Sequence, residues 1–385
     1  MTKASSLHQR LSEQRLYRES SFKLPLATLM KVNAHDYRYF ILGKPQKKYK
    51  LAIVGCGAIS RELHLKSILR FPSFQVSTLC DTNLEFAELA KLEYGLDAEL
   101  TQSIDGFAGQ IDAALVAVPP RLHAPLSMQL MEMGIDVMVE KPTADSAAEA
   151  QQMADKAQAM GRVISVGLTH RYIPANTLLK KLLAHKALGD IIEVVGELGA
   201  PLDWTMTTDA YYNKNTTRGG VFYDVGVHMI DRVMWLFGAL DNINYQDDSY
   251  GGVESNGLFN AELDIDGSTV PFRGAFSWTH MLSNCLRVVG TEATAELRLS
   301  DPDHLYLTRH LGEETIDMLV STEQQFENTT PVDLQWQDFL SSLESRNAPV
   351  TSIETTIAPL SVIESAYKVR LPIPQPWVDT GRSAI

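Results

Sequence analysis

The chain has 385 residues, 45% hydrophobic and 21% charged, and carries a net charge of −13. It is too long for one ordinary core and too apolar for a disordered chain, so two globular domains are expected, and an acidic surface argues against a nucleic-acid partner. No apolar run reaches the ~18 residues of a membrane span, no secretory pattern follows the N-terminus, and Cys56, Cys80 and Cys285 lack the spacing of a disulfide framework or zinc site; a cytoplasmic, metal-free, soluble protein with no membrane partner is the expectation.

Residues 1–49 stand apart. Residues 1–50 hold eleven Lys or Arg against Glu13, Glu19 and Asp36, a net of +8 that leaves −21 for the remainder. A short helix over Leu7–Tyr17 and strand-like stretches at Phe22–Val32 and Tyr37–Leu42 are too little to bury a core. The segment reads as a basic arm that packs on the acidic body or on another subunit.

From Lys50 the pattern becomes an alternation of buried strands and helices. Lys50–Val54 runs into Gly55-Cys-Gly-Ala-Ile-Ser60 and a helix, Glu62–Phe71. Strand, glycine turn and helix start form the context in which a G-x-G-x-x-G pattern points to a dinucleotide. Gly55 permits the turn, Gly57 lets the backbone approach a diphosphate, and Ser60 takes the third, small position. The diphosphate would then sit on the positive end of the helix dipole. A second strand, Phe74–Cys80, ends at Asp81, whose carboxylate suits ribose hydroxyls and repels a 2′-phosphate; no Arg follows in Thr82-Asn83-Leu84, so NAD is favoured over NADP. Helix Leu84–Tyr94, a short strand at 98–101, strand Ile111–Val118 ending in Pro119-Pro120 and helix Pro125–Met133 follow. Strand Ile135–Glu140 then stops at Lys141-Pro142, ahead of helix Ser146–Met160 and strand Val163–Gly167. The expectation is a doubly wound parallel sheet over residues 50–168. A lysine in a βα loop is usually just solvated, but Lys141 ends a strand at the edge where such sheets bind ligands.

Beyond Arg171 the character changes. Helix Asn176–Ala184 and strand Ile191–Leu198 precede a polar loop, Asp203–Arg218, holding Trp204, Tyr211, Tyr212 and Asn213. Gly219–Asp224 opens an apolar helix through Phe237. Strands without intervening helices then fill 242–320 and imply an open, mainly antiparallel sheet packed on helices on one face. Helices Pro331–Glu344 and Ile353–Tyr367 close the chain, and these last helices are expected to pack back on the Rossmann-type half.

The ordered set Gly55-Cys-Gly-Ala-Ile-Ser60, Pro119 with His123, Glu140-Lys-Pro142, Gly167-Leu-Thr-His-Arg171 and Gly219 through His228 to Asp231 resembles the Gfo/Idh/MocA family of NAD(P)-dependent oxidoreductases, over about Lys50–Arg370. The resemblance implies a Rossmann domain over 50–168, and over 169–385 a substrate and oligomerisation domain whose sheet builds a homodimer or homotetramer. It implies cofactor contacts from Gly55, Gly57, Ala58, Ile59, Asp81, Pro119, His123, Glu140 and Lys141, and an unusual Lys-Pro peptide geometry. It also implies a catalytic set of Lys141, Asp224 and His228 acting on a sugar, nucleotide sugar or cyclitol. His170 departs from the pattern, standing where an Arg often precedes the residue matched by Arg171.

Asp224 and His228 lie four apart on a helix start and so share a side. His228 can accept a hydroxyl proton, Asp224 can orient its ring or bind a neighbouring hydroxyl, and Lys141 can stabilise alkoxide character or itself act as the base; the residues leave open which of the two is the proton acceptor. Arg171, Tyr172, Trp204 and Tyr211 are candidate substrate contacts, with a structural ion pair an equal reading of Arg171. Two other functions fit the same fold: a glycosidase using transient oxidation by bound NAD, and an NAD(H)-sensing regulator without chemistry.

Overall fold

The computed structural model describes residues 47–202, 213–214, 217–321 and 329–373. The basic arm up to residue 46 lies outside them, as do the candidate contacts Trp204 and Tyr211. Strands β1 (Tyr49–Val54), β2 (Phe74–Cys80), β3 (Glu99–Thr101), β4 (Ala113–Val116), β5 (Asp136–Val139) and β6 (Ile164–Val166) form a wholly parallel sheet in the order β3-β2-β1-β4-β5-β6. This is the doubly wound order whose switch point lies between β1 and β4. Every residue of β4 and β5 is buried, as a sheet covered on both faces requires.

Helix α1 begins as a π-turn, Ser60–Leu65, and continues as Lys66–Ile68, where the sequence reads as an uninterrupted α-helix. Helix α2 (Leu84–Tyr94) starts on the Asn83 side chain and ends at left-handed Gly95. Helix α3 spans His123–Glu132, and α4 (Ala147–Met160) starts on Ser146 and ends at left-handed Gly161. These local caps explain why those boundaries are readable from sequence.

The second half opens with α5 (Pro174–Ala184) and β7 (Ile191–Gly199), then a π-turn at Phe222–Gly226 that continues as α6 (Val227–Phe237). Seven strands follow: β8 (Leu240–Asp247), β9 (Asn256–Ile265), β10 (Ser268–Ser277), β11 (Cys285–Gly290), β12 (Ala293–Arg298), β13 (His304–Leu311) and β14 (Glu314–Ser321). Helices α7 (Pro331–Ser345) and α8 (Ile357–Lys368) lead to a two-residue edge strand, β15 (Leu371–Pro372). The nine strands are ordered β14-β13-β12-β11-β7-β10-β9-β8-β15. The sheet is mainly antiparallel, but β7 pairs in parallel with β10, and β15 with β8. Helix α6 carries the chain back from the end of β7, so the β8-β9-β10 meander ends running in the direction of β7.

Alternation buries Phe259, Ala261 and Leu263 of β9 and Val270, Phe272 and Phe276 of β10 on one face, while Arg273 and Arg287 stay exposed on the other. Helices α5, α6 and α8 cover the buried face. Helix α7 instead packs on the first sheet: Trp336, Phe339 and Leu343 share a core with Leu51, Ile53, Leu65, Ile68, Leu79, Leu115 and Met138. Among the described residues no helix is long and apolar enough to cross a membrane.

Candidate functional site

The carboxyl ends of β1, β2, β4 and β5 share one edge of the parallel sheet, and the chain places Gly55, Asp81, Pro119 and Lys141 just beyond it. Gly55 has φ +92°, and a Cβ there would lie 2.3 Å from the Ala117 carbonyl oxygen, so only glycine fits the turn. The Ser60 hydroxyl, fully buried, donates to the Gly55 carbonyl and closes the loop, which explains serine at the third position. No side chain caps the start of α1. Its first amide groups therefore remain donors for an anion laid across the turn. The half-buried Asp81 carboxylate accepts from the Cys56 N–H at 2.8 Å and the Asn83 N–H at 2.9 Å. This fixes a negative group at the end of β2 where a ribose sits in such folds. A glycine cradle, an uncapped helix start and an anchored carboxylate together fit a dinucleotide.

The Lys141-Pro142 peptide is cis. The loop that contains it is tethered from several elements. His123 of α3 is buried, its Nδ1 at 2.7 Å from the Pro142 carbonyl oxygen and its Nε2 at 2.9 Å from that of Val118. Thr143 donates to Thr356 ahead of α8, and the Tyr223 hydroxyl donates to the Ala144 carbonyl at 2.8 Å. Glu140 turns inward: one carboxylate oxygen accepts the Lys141 N–H at 2.9 Å and the other meets His64 Nε2 at 2.8 Å. The Trp336 indole N–H donates to His64 Nδ1 at 3.1 Å, so His64 carries its proton on Nε2 and donates it to Glu140. Burial alone would raise the Glu140 carboxyl, but the His64 N–H and the Lys141 charge outweigh it and hold the group below its usual range.

Held by this chain, Lys141 reaches across to the second domain. Its ammonium forms an ion pair with the Asp224 carboxylate and donates to the Asp224 carbonyl at 3.1 Å. Asp224 lies in the π-turn and His228 in the first turn of α6. Asp224 is thus bonded to Lys141; the expectation that it orients the His228 ring is not what the geometry gives. The His228 ring instead stacks on His170, with centroids 4.3 Å apart. The start of this helix is fixed by buried Glu254, whose Oε1 accepts the N–H of Gly220 at 2.7 Å, that of Phe222 at 3.2 Å and the Tyr367 hydroxyl at 2.6 Å. A Cβ on Gly219 would sit 1.9 Å from the Tyr367 hydroxyl, and one on Gly220 1.9 Å from the Glu254 carbonyl oxygen. The paired glycines let the helix start lie against this anchor.

Four expected contacts are placed elsewhere. Arg171 is buried and its guanidinium is saturated. It donates to Asp231 from Nε at 2.8 Å and from Nη2, to Val350 and Thr355 from Nη1, and to the Thr355 carbonyl from Nη2. It has no donor left for substrate. Tyr172 is likewise buried, its hydroxyl donating to Asp338 at 2.8 Å and lying 3.1 Å from Thr351. His123 has a backbone carbonyl at each nitrogen, and Glu140 is engaged on both oxygens, so these two hold the Lys141 loop rather than face the crevice. His64, Trp336 and Glu254 escaped sequence reasoning. The one local signal is for His64: it lies four residues after Ser60, a second buried polar group in the same turn.

Trp336→Phe tests the inner chain. Losing the indole N–H leaves His64 Nδ1 buried without a donor, and the smaller ring leaves space in the core. A stability loss of about 2 kcal/mol is expected, read as a lowered denaturation midpoint at unchanged slope. An unaltered midpoint would show that the contact contributes nothing.

Residues 49–168 match the model of an oxidoreductase family with an NAD-binding Rossmann fold, and residues 177–296 match the GFO/IDH/MocA C-terminal domain. Curated relatives include D-glucoside 3-dehydrogenase of Escherichia coli, 27% identical over 203 residues (51% of this chain, 56% of that protein). Glucose-6-phosphate 3-dehydrogenase of Bacillus subtilis is 28% identical over 193 residues (49% and 53%). The chain spans about half the length of the curated relatives it matches. Among solved structures, a mutant 3-ketoreductase from Actinomadura kijaniata in complex with TDP-benzene and NADP superposes with a TM-score of 0.73 at 17% identity, covering 86% of this chain and 100% of that one. Levoglucosan dehydrogenase in complex with NADH and levoglucosan gives 0.72 at 17%, covering 84% and 98%. At these identities the likeness is one of fold. Two domain matches in sequence order, on the two sheets described above, place the chain in the Gfo/Idh/MocA family.

Proposed function

We propose that the chain is a nicotinamide-dependent dehydrogenase or reductase, moving a hydride to or from the hydroxyl-bearing carbon of a sugar, nucleotide sugar or cyclitol. The observation that carries this reading is the Lys141–Asp224 ion pair across the crevice, with His228 one turn further along the same helix. The names of the relatives, sugar 3-dehydrogenases and an inositol 2-dehydrogenase among them, support the substrate class.

The cofactor supplies the hydride acceptor or donor when bound; Gly55, Gly57, Ala58 and Ile59 would hold its diphosphate, Asp81 its ribose, and Pro119 and Lys141 would border its reacting end. In the oxidising direction the Lys141 ammonium donates to the substrate oxygen and stabilises the negative charge that grows there as the C–H bond breaks. Asp224 aims that ammonium through their ion pair. The hydroxyl proton leaves to the neutral imidazole of His228, so that the carbon loses a hydride, the oxygen loses a proton and a carbonyl remains. The exposed face of the nine-stranded sheet is the surface we assign to a homodimer or homotetramer.

The test is a cofactor-reduction screen over free sugars, nucleotide sugars and inositols with NAD and NADP in parallel. Reduction with at least one polyol supports the reading. NADH bound tightly with no turnover across the panel would instead indicate a sensor. For the cofactor, Asp81→Ala removes the charge that repels a 2′-phosphate, and the NAD-over-NADP preference in kcat/KM should fall about tenfold or more. An unchanged ratio would contradict the assignment of Asp81 to the ribose.

A further inference from the structure

His170 stands in the short turn Thr169–Tyr172 that follows β6, and His228 in the first turn of α6. Their rings stack with centroids 4.3 Å apart and planes within 25° of each other. Among the described residues no hydrogen bond orients the His228 ring: its Nδ1 is buried without a partner, as is that of His170. Asp224, four residues earlier on the same helix start, is paired with Lys141. The support behind His170 is rigid, because the next residue is the saturated Arg171, and Asn176 donates its side-chain N–H to the His170 carbonyl at 2.5 Å. A ring on a held backbone therefore faces one that no hydrogen bond aims.

We propose that His170 is the positioning residue of this site: its stacked ring sets the plane of the His228 imidazole and so the direction in which His228 meets the reacting hydroxyl. The proposal rests on the dehydrogenase reading for the word "reacting", and on the geometry alone for the pairing. Charged groups approach the pair from three elements: Lys141 from the end of β5, Asp224 from the π-turn where it pairs with Lys141, and Arg232 from α6, one turn beyond His228. Arg232 is fully buried, with Nη2 3.2 Å from the Met229 sulfur and its Nε and Nη1 without partners, while neighbouring Asp231 is taken by Arg171. Burial first, then His170, Lys141 and Arg232, hold His228 well below the usual imidazole range; burial, Arg232 and Lys141 do the same to His170. His228 is thus a neutral acceptor through the working pH range. A neighbour that keeps water from its face and fixes its plane helps preserve that state.

The experiment follows the ring nitrogens of the full chain, labelled with 15N-histidine, against pH, with the His228 signal assigned by its loss in His228→Gln. In His170→Ala the His228 ring gains water, so its titration moves to higher pH. On the substrate found in the screen, kcat falls about 10- to 100-fold with KM for NAD within about twofold, as for a misaligned proton acceptor. The acid limb of the kcat profile moves upward in pH with the titration. His170→Phe, which keeps a stacking ring, restores most of kcat. A His228 titration unchanged in His170→Ala, or a His170→Phe variant as slow as His170→Ala, overturns the proposal. The titration needs neither substrate nor cofactor, so a silent screen defeats the dehydrogenase reading while leaving the pairing to be decided by the nitrogen shifts.

Discussion

Lys141→Ala is expected to lower kcat by about 10³-fold while the affinity for NADH changes by no more than a few-fold. In the proposed reaction the ammonium donates to the reacting oxygen, so its contribution grows as charge develops there and the ground-state complex gains less from it. The structure adds a reason to expect a clean result. Loop 140–145 is held by His64, His123, Thr356 and Tyr223 through Glu140, Pro142, Thr143 and Ala144, none of them through the Lys141 side chain. Truncation should therefore leave the loop in place and free Asp224, a half-buried carboxylate that can be solvated. Single-turnover hydride transfer and NADH fluorescence titration separate chemistry from binding. A kcat within tenfold of the parent would remove Lys141 from the reaction, and a matching loss of NADH affinity would recast it as a cofactor ligand.

Lys141 also shows how far the sequence could be read. Its strand, the glycine turn and Asp81 were legible because each depends on neighbours within a few residues: Phe74–Cys80 and Leu84–Tyr94 have the bounds their composition and caps at Asn83 and Gly95 predict. What holds Lys141 in place was not legible. Glu140 and His64 are 76 residues apart, and His64 and Trp336 are 272 apart, and no local pattern distinguishes a buried histidine with two partners from one with none. Hydrophobic spacing over five or six residues reads the two π-turns as ordinary α-helix, because it cannot resolve one extra residue per turn. For Asp224 and His228 the error was harmless, since a four-residue step keeps both on one side in either geometry. Charge leaves Arg171 open between a substrate contact and a structural ion pair: an arginine beside a candidate site is equally a ligand or a clamp until its five donors are counted.

That count makes Arg171→Ala the largest expected effect on stability. Arg171 and Asp231 are buried, with 2% and 0% of their side chains exposed, and the carboxylate takes two donors from the guanidinium. Removing the arginine strands a carboxylate in a core, and breaking such a pair costs about 3–5 kcal/mol. The carbonyls of Val350 and Thr355 and the Thr355 hydroxyl lose donors at the same time, which favours the upper end. These bonds join the turn after β6 to α6 and to the segment before α8. The loss should therefore loosen the seat of His170 and His228 as well as the fold. Burial already pushes the Asp231 carboxyl upward against the pull of Arg171. Without the arginine the group takes up a proton on folding, so the variant should recover stability as pH falls below neutrality, until the remaining carboxylates are protonated in turn. Denaturant midpoints at about pH 5.5 and pH 8 for parent and variant check both parts: the gap should be wider at the higher pH. A substrate ligand predicts a different outcome, with an unchanged midpoint and a raised KM, because loss of a contact in the crevice leaves the core intact.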